Sequence, residues 1–463
     1  MMTFLLTFFL LLQPMPSQTA STPLQEYIDR GLKSNLALKQ QEFSLENSLE
    51  NLREAKGLFS PTISVQARYS RAGGGRIIDF PVGDLTNPIY RSLNELYRFH
   101  GISASFPTDI PNERIPFLRP EEQETKLRLI QPLFQPVILY NVKIKSSISK
   151  AQEAQVAAFK RQLTADIKSA YYTYLKTVRI VELLEKTRLL LEENLRVSRK
   201  LYENGKATED VVFRAEAELA GLDQKRTEAE KNRTQAASYF NFLLNRELDA
   251  HIKAAKVRHP TTTNHMDLET AFERALQNRE EFLQMKHAVR AAAGQVSLAQ
   301  SRFLPSVSAV FDYGIQGEKY SFKKDDDYWM ASLIFEWTLF NGNRNKAQKA
   351  QAILAQKKME AQRTELQKQI KLQVQEGYFA LKAAVKALSA AAEREKSAKR
   401  SFDIVAKKYE YGTVPQIAYL DARTTLTDAS INHIIILYDY CIQEAAFERV
   451  TAAVELQDEK TRR

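Results

Sequence analysis

Residues able to do covalent or metal chemistry are few and scattered in this chain. The six histidines, among them His259 and His265 in a Pro/Thr-rich linker, share no common spacing. A bound metal needs several His, Cys, Asp or Glu side chains at one point, and nucleophilic catalysis needs a Ser or Cys beside a base; neither pattern emerges. Gly73, Gly74 and Gly75 have the look of a phosphate cradle, but no Gly-Lys-Ser/Thr and no helix start follow them. Cys441 is the one cysteine, so no intrachain disulfide supports the fold. The sequence therefore points to no catalytic residue, no metal and no cofactor, and away from an enzyme. A formal charge of +10 raises the question of nucleic acid, but Lys and Arg alternate with Glu along helical stretches, as on solvated helix faces, so no nucleic-acid partner is expected.

The stretch Arg302 to Gly314, RFLPSVSAVFDYG, repeats Leu58 to Ser70, LFSPTISVQARYS. Pro61 and Pro305 are 244 positions apart, and the same offset places Leu24 on Leu268, Ala55 on Ala299 and Tyr69 on Tyr313. The chain is a tandem duplication. Each copy has a helical run (Leu24–Lys56, Leu268–Ser301), a proline, and then an alternating strand. Ile63, Val65, Ala67 and Tyr69 share one face of the first strand; Val307, Ala309, Phe311 and Tyr313 share one face of the second, opposite Ser306, Ser308 and Asp312.

Residues 1–20 open with the apolar run FLLTFFLLL and read as a secretory signal peptide cleaved between Ser17 and Ala20, an N-terminal anchor being the alternative. The run is too short for a spanning helix. Residues 71–124, with three successive glycines and six prolines, read as an extended surface loop. Alternation returns in Thr125–Phe134 and is strongest in Tyr328–Phe340, where Trp329, Ala331, Leu333, Phe335, Trp337 and Leu339 share one face. The two tryptophans are eight residues apart, roughly 26 Å along a strand and nearer 20 Å along the normal of a tilted one, which suits aromatic girdles at the edges of an apolar membrane band.

Each second strand runs into a very long helix, Val137–Arg199 and Asn343–Lys408, roughly 95 to 100 Å at 1.5 Å per residue. Both end in one phrase: Tyr202, Glu203, Gly205, Ala215 and Leu219 fall on Tyr409, Glu410, Gly412, Ala422 and Leu426. A glycine just past a helix end supplies a left-handed cap, so each phrase is the turn of a helical hairpin, with Thr208 or Thr413 and Pro415 starting the return. Four strands cannot close a barrel, because the smallest membrane barrels have about eight, so several chains must contribute to one. The expected organisation is residues 1–20 as signal peptide, 21–250 and 268–456 as two repeats joined by a 251–267 linker, and 457–463 as a tail. The fold class is mainly α with a membrane β-barrel.

Signal peptide, duplication, strand pairs, long helices and Tyr-Glu-x-Gly turns together resemble the TolC family of outer-membrane efflux proteins over nearly the whole mature length. The resemblance implies a homotrimer in the outer membrane of a Gram-negative bacterium, three chains closing one twelve-stranded barrel and continuing it as an α-helical tunnel across the periplasm. It implies passive efflux of drugs, toxic compounds or metals, driven by an inner-membrane transporter through a periplasmic adaptor, with outer-membrane lipid around the barrel. Type I protein secretion, or an envelope coiled-coil scaffold without transport, are the alternatives. Carried onto this sequence, the adaptor-docking positions are Asn204, Gly205, Lys206, Tyr411, Gly412 and Thr413, and the constriction uses Tyr409 and Asp421. Ala418 stands where the family has a second aspartate, and Asp210 is placed to add charge nearby. Trp329 and Trp337 form the membrane girdle.

Overall fold

The structure is a computed structural model and describes residues 23–255, 266–320 and 326–453. The expected signal peptide, the tail, and the part of the linker carrying His259 and His265 lie outside the described residues. In chain order the elements are α1 (Pro23–Ser34), α2 (Leu36–Gly57), β1 (Thr62–Arg71), β2 (Ile77–Phe80), α3 (Val82–Phe99), β3 (Glu113–Pro116), β4 (Glu121–Phe134), α4 (Pro136–Glu203), α5 (Asp210–Leu243), α6 (Leu268–Asn278), α7 (Glu280–Ser301), β5 (Ser306–Gly317), β6 (Asp327–Glu336), α8 (Arg344–Glu410) and α9 (Gln416–Thr451). They form two units, one helical (Met1–Glu50, Lys145–Ala293, Leu354–Arg463) and one carrying the strands (Asn51–Ile144, Gly294–Ile353).

In the helical unit each repeat contributes a buried seam, and Tyr438 of α9 joins the seam of the first. Ile167, Tyr171 and Leu175 of α4 pack with Tyr27 of α1, Leu38 of α2 and Phe240 of α5. Ile370, Val374 and Leu381 of α8 pack with Ala271 and Ala275 of α6 and with Tyr440, Phe447 and Val450 of α9. Helices α4 and α8 run for 68 and 67 residues, about 100 Å each, as their three- and four-residue apolar steps require. Charged pairs tie α4 of the first repeat to the second: Arg161 to Glu280 at 2.6 Å, Lys168 to Glu448 at 2.6 Å and Lys176 to Asp439 at 2.9 Å.

The helix expected before each strand is in fact two. The breaks fall at Asn35 and Arg279, which are 244 positions apart, the offset of the duplication. At the first break the Asn35 amide donates to the Leu243 carbonyl at 2.9 Å while its Oδ1 accepts the Leu38 N–H at 2.9 Å, starting the next helix. At the second, Arg279 takes an extended backbone and its buried guanidinium donates to Glu281 and Gln373. Asn35→Ala removes a cap and orphans the buried Leu243 carbonyl; we expect a loss of about 1 to 2 kcal/mol, read as a lower midpoint for loss of the helical circular dichroism signal. An unchanged midpoint would show that the break is not held by Asn35.

In the strand unit β1, β4, β5 and β6 form one antiparallel sheet in that order, so β1 and β6 are its two edges. Residues 71–124 are not an irregular loop. They contain the β2–β3 ribbon and the 18-residue helix α3. Leu85, Ile89, Leu93 and Leu96 step at helical spacing, but Gly83 and Pro88 sit among them and mask the pattern. Pro88 is accommodated inside the helix, a turn and a half from its start.

Candidate channel and docking sites

Alternation sorts the sheet into two chemically opposed faces. Val65, Leu127, Tyr313 and Trp329 lie in one cross-strand row, and Ile63, Leu129, Phe311 and Ala331 in the next. This apolar face is open: Val65 is 74% exposed, and Trp329 and Leu333 are each 69% exposed. On the reverse face Ser64, Arg128, Asp312 and Met330 form a row. There Arg128 donates twice to the fully buried Asp312, at 2.8 and 2.7 Å. Lys126 donates to Glu124 at 2.9 Å, and the Tyr328 hydroxyl donates to the same carboxylate at 2.6 Å. A sheet with charges satisfied on one side and large apolar groups bare on the other has the polarity of a membrane barrel wall.

Trp337 lies beyond β6, not within it, which corrects the strand expected to run to Phe340. The last rung pairs Ser306 with Glu336, and the next partner is Pro305, which has no N–H to donate. The Trp337 indole instead donates to the Phe303 carbonyl at 3.0 Å, which fixes it beside the strand end.

Both hairpin turns form in the helical unit with the expected caps. Gly205 has φ of 65° and Gly412 of 71°, the left-handed region open to glycine. The N–H of Lys206 reaches the Leu201 carbonyl at 2.8 Å and that of Gly205 reaches Tyr202 at 2.9 Å; Thr413 to Lys408 and Gly412 to Tyr409 repeat the pattern at 2.9 Å each. These paired bonds are the Schellman arrangement. Asn204, Gly205, Lys206, Tyr411, Gly412 and Thr413 are all exposed, Tyr411 by 81%.

The two turns lie at the same end of the helices, because residues beside them share a buried polar knot. Gln416, the first residue of α9, donates to Ser198 Oγ at 2.9 Å and Asn194 Oδ1 at 3.2 Å on α4. The Tyr409 hydroxyl bonds the same two side chains, and burial pushes it above the usual tyrosine range, so it stays protonated. Its ring stacks on Tyr419 with centroids 4.9 Å apart. Farther along, buried Arg423 of α9 donates to Glu218 of α5 at 2.8 Å; burial lowers the arginine's proton affinity and Glu218 opposes that shift.

The structure thus brings Tyr409 into a defined cluster but leaves Asp421 exposed on α9. Asp210 is exposed too, 3.5 Å from Arg214 and bonded by the Thr208 hydroxyl. Asn194, Ser198, Gln416, Glu218 and Arg423 were missed from sequence. The available signal was position: Asn194 and Ser198 continue the seam of Leu184 and Leu191 in steps of three and four, where a solvated polar residue does not belong. Among the described residues no group of His, Cys, Asp and Glu has the geometry to hold a metal ion.

Residues 271–453 match the outer membrane efflux protein family profile. No curated protein sequence matches the chain. Among solved structures, a membrane protein from Pseudomonas aeruginosa superposes with a TM-score of 0.76 at 18% identity, covering 93% of each chain. The Campylobacter jejuni CmeC outer membrane channel gives 0.76 at 16% identity, over 95% of this chain and 88% of its own. The open state of the Neisseria gonorrhoeae MtrE outer membrane channel gives 0.72 at 17% identity, over 93% and 88%. The second repeat thus matches the outer membrane efflux protein family, and the fold along the chain's length is that of solved outer-membrane channels.

Proposed function

We propose that three copies of the chain close one barrel of twelve strands, four from each, and carry small molecules passively out of the cell. The energy comes from an inner-membrane transporter, coupled through a periplasmic adaptor. The observation that carries this reading is the open sheet: two unpaired edges, a bare apolar face and a charge-satisfied reverse face. Such a sheet is stable only when its edges pair with other copies and its apolar face meets lipid. Trp329 and Trp337 then form the two girdles, and the Arg128–Asp312 face lines the lumen. Repeats 21–250 and 268–456 each supply two strands and one hairpin, with residues up to about Ala20 removed on export. The decisive experiment is purification from the outer membrane in detergent followed by reconstitution in planar bilayers. Heat-resistant trimers with stable conductance support the conduit; a monomer soluble without detergent would refute it.

The adaptor docks, in this reading, on the exposed turns at Asn204, Gly205, Lys206, Tyr411, Gly412 and Thr413. A Cβ built on Gly412 meets no atom within 4 Å, so a side chain there costs only the strain of its positive φ, roughly 1 kcal/mol. Gly412→Trp therefore leaves the trimer intact and projects an indole into the approaching partner. We expect export to be lost at normal outer-membrane levels of trimer, and export at the parental rate would remove this tip from the docking surface.

A further inference from the structure

The connection between β1 and β4 is an insertion with no counterpart in the second repeat, where β5 ends at Gly317 and β6 begins at Asp327. It is a built structure. The inserted ribbon continues the β1–β4 ladder, since the Ala72 N–H donates to the Pro120 carbonyl and the Phe117 N–H to the Arg76 carbonyl, both at 2.9 Å. Two asparagines one heptad apart then clamp α3 to the strand-like strap that follows it. Asn87 exchanges two bonds with the backbone of Ile110, at 2.8 and 2.9 Å, and Asn94 two with Phe106, at 2.8 and 2.6 Å. Tyr90 and Tyr97 both stack on Phe106.

With that side fixed, the opposite side of α3 is bare. Leu85, Pro88, Ile89, Leu96 and Phe99 fall within an arc of roughly a third of the helix, and all are exposed, Phe99 by 86%. Along one border of this arc lie Asp84, Arg91, Glu95 and Arg98, all exposed; Asp84 is tied back to Asn112 at 2.9 Å, which leaves two arginines to the one carboxylate of Glu95.

We propose that α3 lies on the outer leaflet of the membrane, its apolar stripe sunk into the headgroup region and Arg91 and Arg98 set against the phosphates of anionic lipid. Three features choose lipid as the occupant. The ribbon is hydrogen-bonded to the rim of the sheet whose apolar face meets the same bilayer, so the insertion emerges at the membrane surface. The stripe is shallow and interrupted only by Ser92, whose hydroxyl donates to the Pro88 carbonyl, the form of an interfacial helix that sinks roughly 5 to 10 Å. The free arginines border it where phosphate groups would lie. This inference rests on the barrel reading, so its test carries an internal control for that reading.

Single cysteines replace Leu96, Ser105 and Leu333 in the full chain, each labelled with an environment-sensitive fluorophore; Ser105 is exposed on the strap beside Phe106, on the side of α3 away from the stripe. Cys441 stays unlabelled, because burial pushes its thiol up to about 12. The trimers are reconstituted in phosphatidylcholine vesicles with and without phosphatidylglycerol, containing lipid with a nitroxide near the headgroup. We expect nitroxide lipid to quench the Leu96 label severalfold more than the Ser105 label, and iodide to do the reverse. Arg91→Gln with Arg98→Gln should weaken lipid quenching at Leu96 only where phosphatidylglycerol is present. If Leu333 is quenched by lipid and Leu96 is not, the inference falls and the barrel stands; if neither is quenched, both fall. Disulfide-linked dimers of the unlabelled Leu96→Cys chain would make a second copy the occupant and overturn the proposal.

Discussion

Leu333→Arg is expected to abolish assembly in the outer membrane, while Ser332→Arg, one residue away, is expected to be tolerated. Leu333 is midway between Trp329 and Trp337 and points to the same face as Trp329, cross-strand from Ala309. An arginine at the lipid midplane of a barrel costs roughly 2 to 4 kcal/mol. In the proposed trimer three copies meet that cost together, a loss of roughly 6 to 12 kcal/mol, comparable with the whole stability of a typical folded domain. Ser332 faces the other way, cross-strand from Val310, on the side that carries Arg128 and Asp312. In the proposed barrel an arginine there reaches the aqueous lumen. Trp337→Arg sits near an interface, where the cost is only about 0 to 1 kcal/mol, and should assemble at reduced yield. The readout is the amount of heat-resistant trimer in outer-membrane fractions. Normal trimer from Leu333→Arg with failure of Ser332→Arg would mean that the two faces have been exchanged.

What the sequence disclosed and what it hid divide along a physical line. Patterns with a local period were legible: the strands from their alternation, the long helices from their steps, and the hairpin turns from a glycine that must take positive φ. The duplication was legible because its offset is gapless across Pro61 and Pro305. Hidden features are held by partners far along the chain. The break at Asn35 depends on the Leu243 carbonyl, and the break at Arg279 on Gln373, so neither leaves a mark on the helical periodicity around it. Helix α3 was hidden by Pro88, whose cost is met by the clamp of Asn87 and Asn94 onto a strap more than ten residues away. The end of β6 was set by the partner strand, through Pro305. The tip knot joins residues 218 and 222 positions apart, and its members look like surface polar residues until the seam they continue is traced.

That knot carries the second large effect. We expect Tyr409→Phe combined with Gln416→Ala to open the tunnel tip, raising single-channel conductance and shortening closed times while the trimer stays intact. Gln416 and Tyr409 lie where α8 turns into α9, and both bond Asn194 and Ser198 near the end of α4. Parting these two hairpins leaves buried amides and hydroxyls without partners, at about 1 to 3 kcal/mol for each orphaned group. Removing the two donors in advance lowers the cost of opening by about 3 kcal/mol, a shift of roughly 150-fold in the closed-to-open ratio. The knot is neutral, so salt should not loosen it. Its folded tyrosine has a raised pKa, so the proton is held more tightly in the fold and the contribution persists through neutral pH, failing only above the usual tyrosine value near 10. Asp421 is proposed as a separate device. It is exposed nine residues beyond Gly412, about 8 Å into α9, and three copies would place one acidic ring in the pore. Asp421→Ala with Asp210→Ala should therefore reduce preference for cations and block by trivalent cations without changing closed times. If the Tyr409/Gln416 variant kept the parental conductance and the aspartate variant alone opened the pore, closure would rest on the acidic residues and the neutral knot would be packing only.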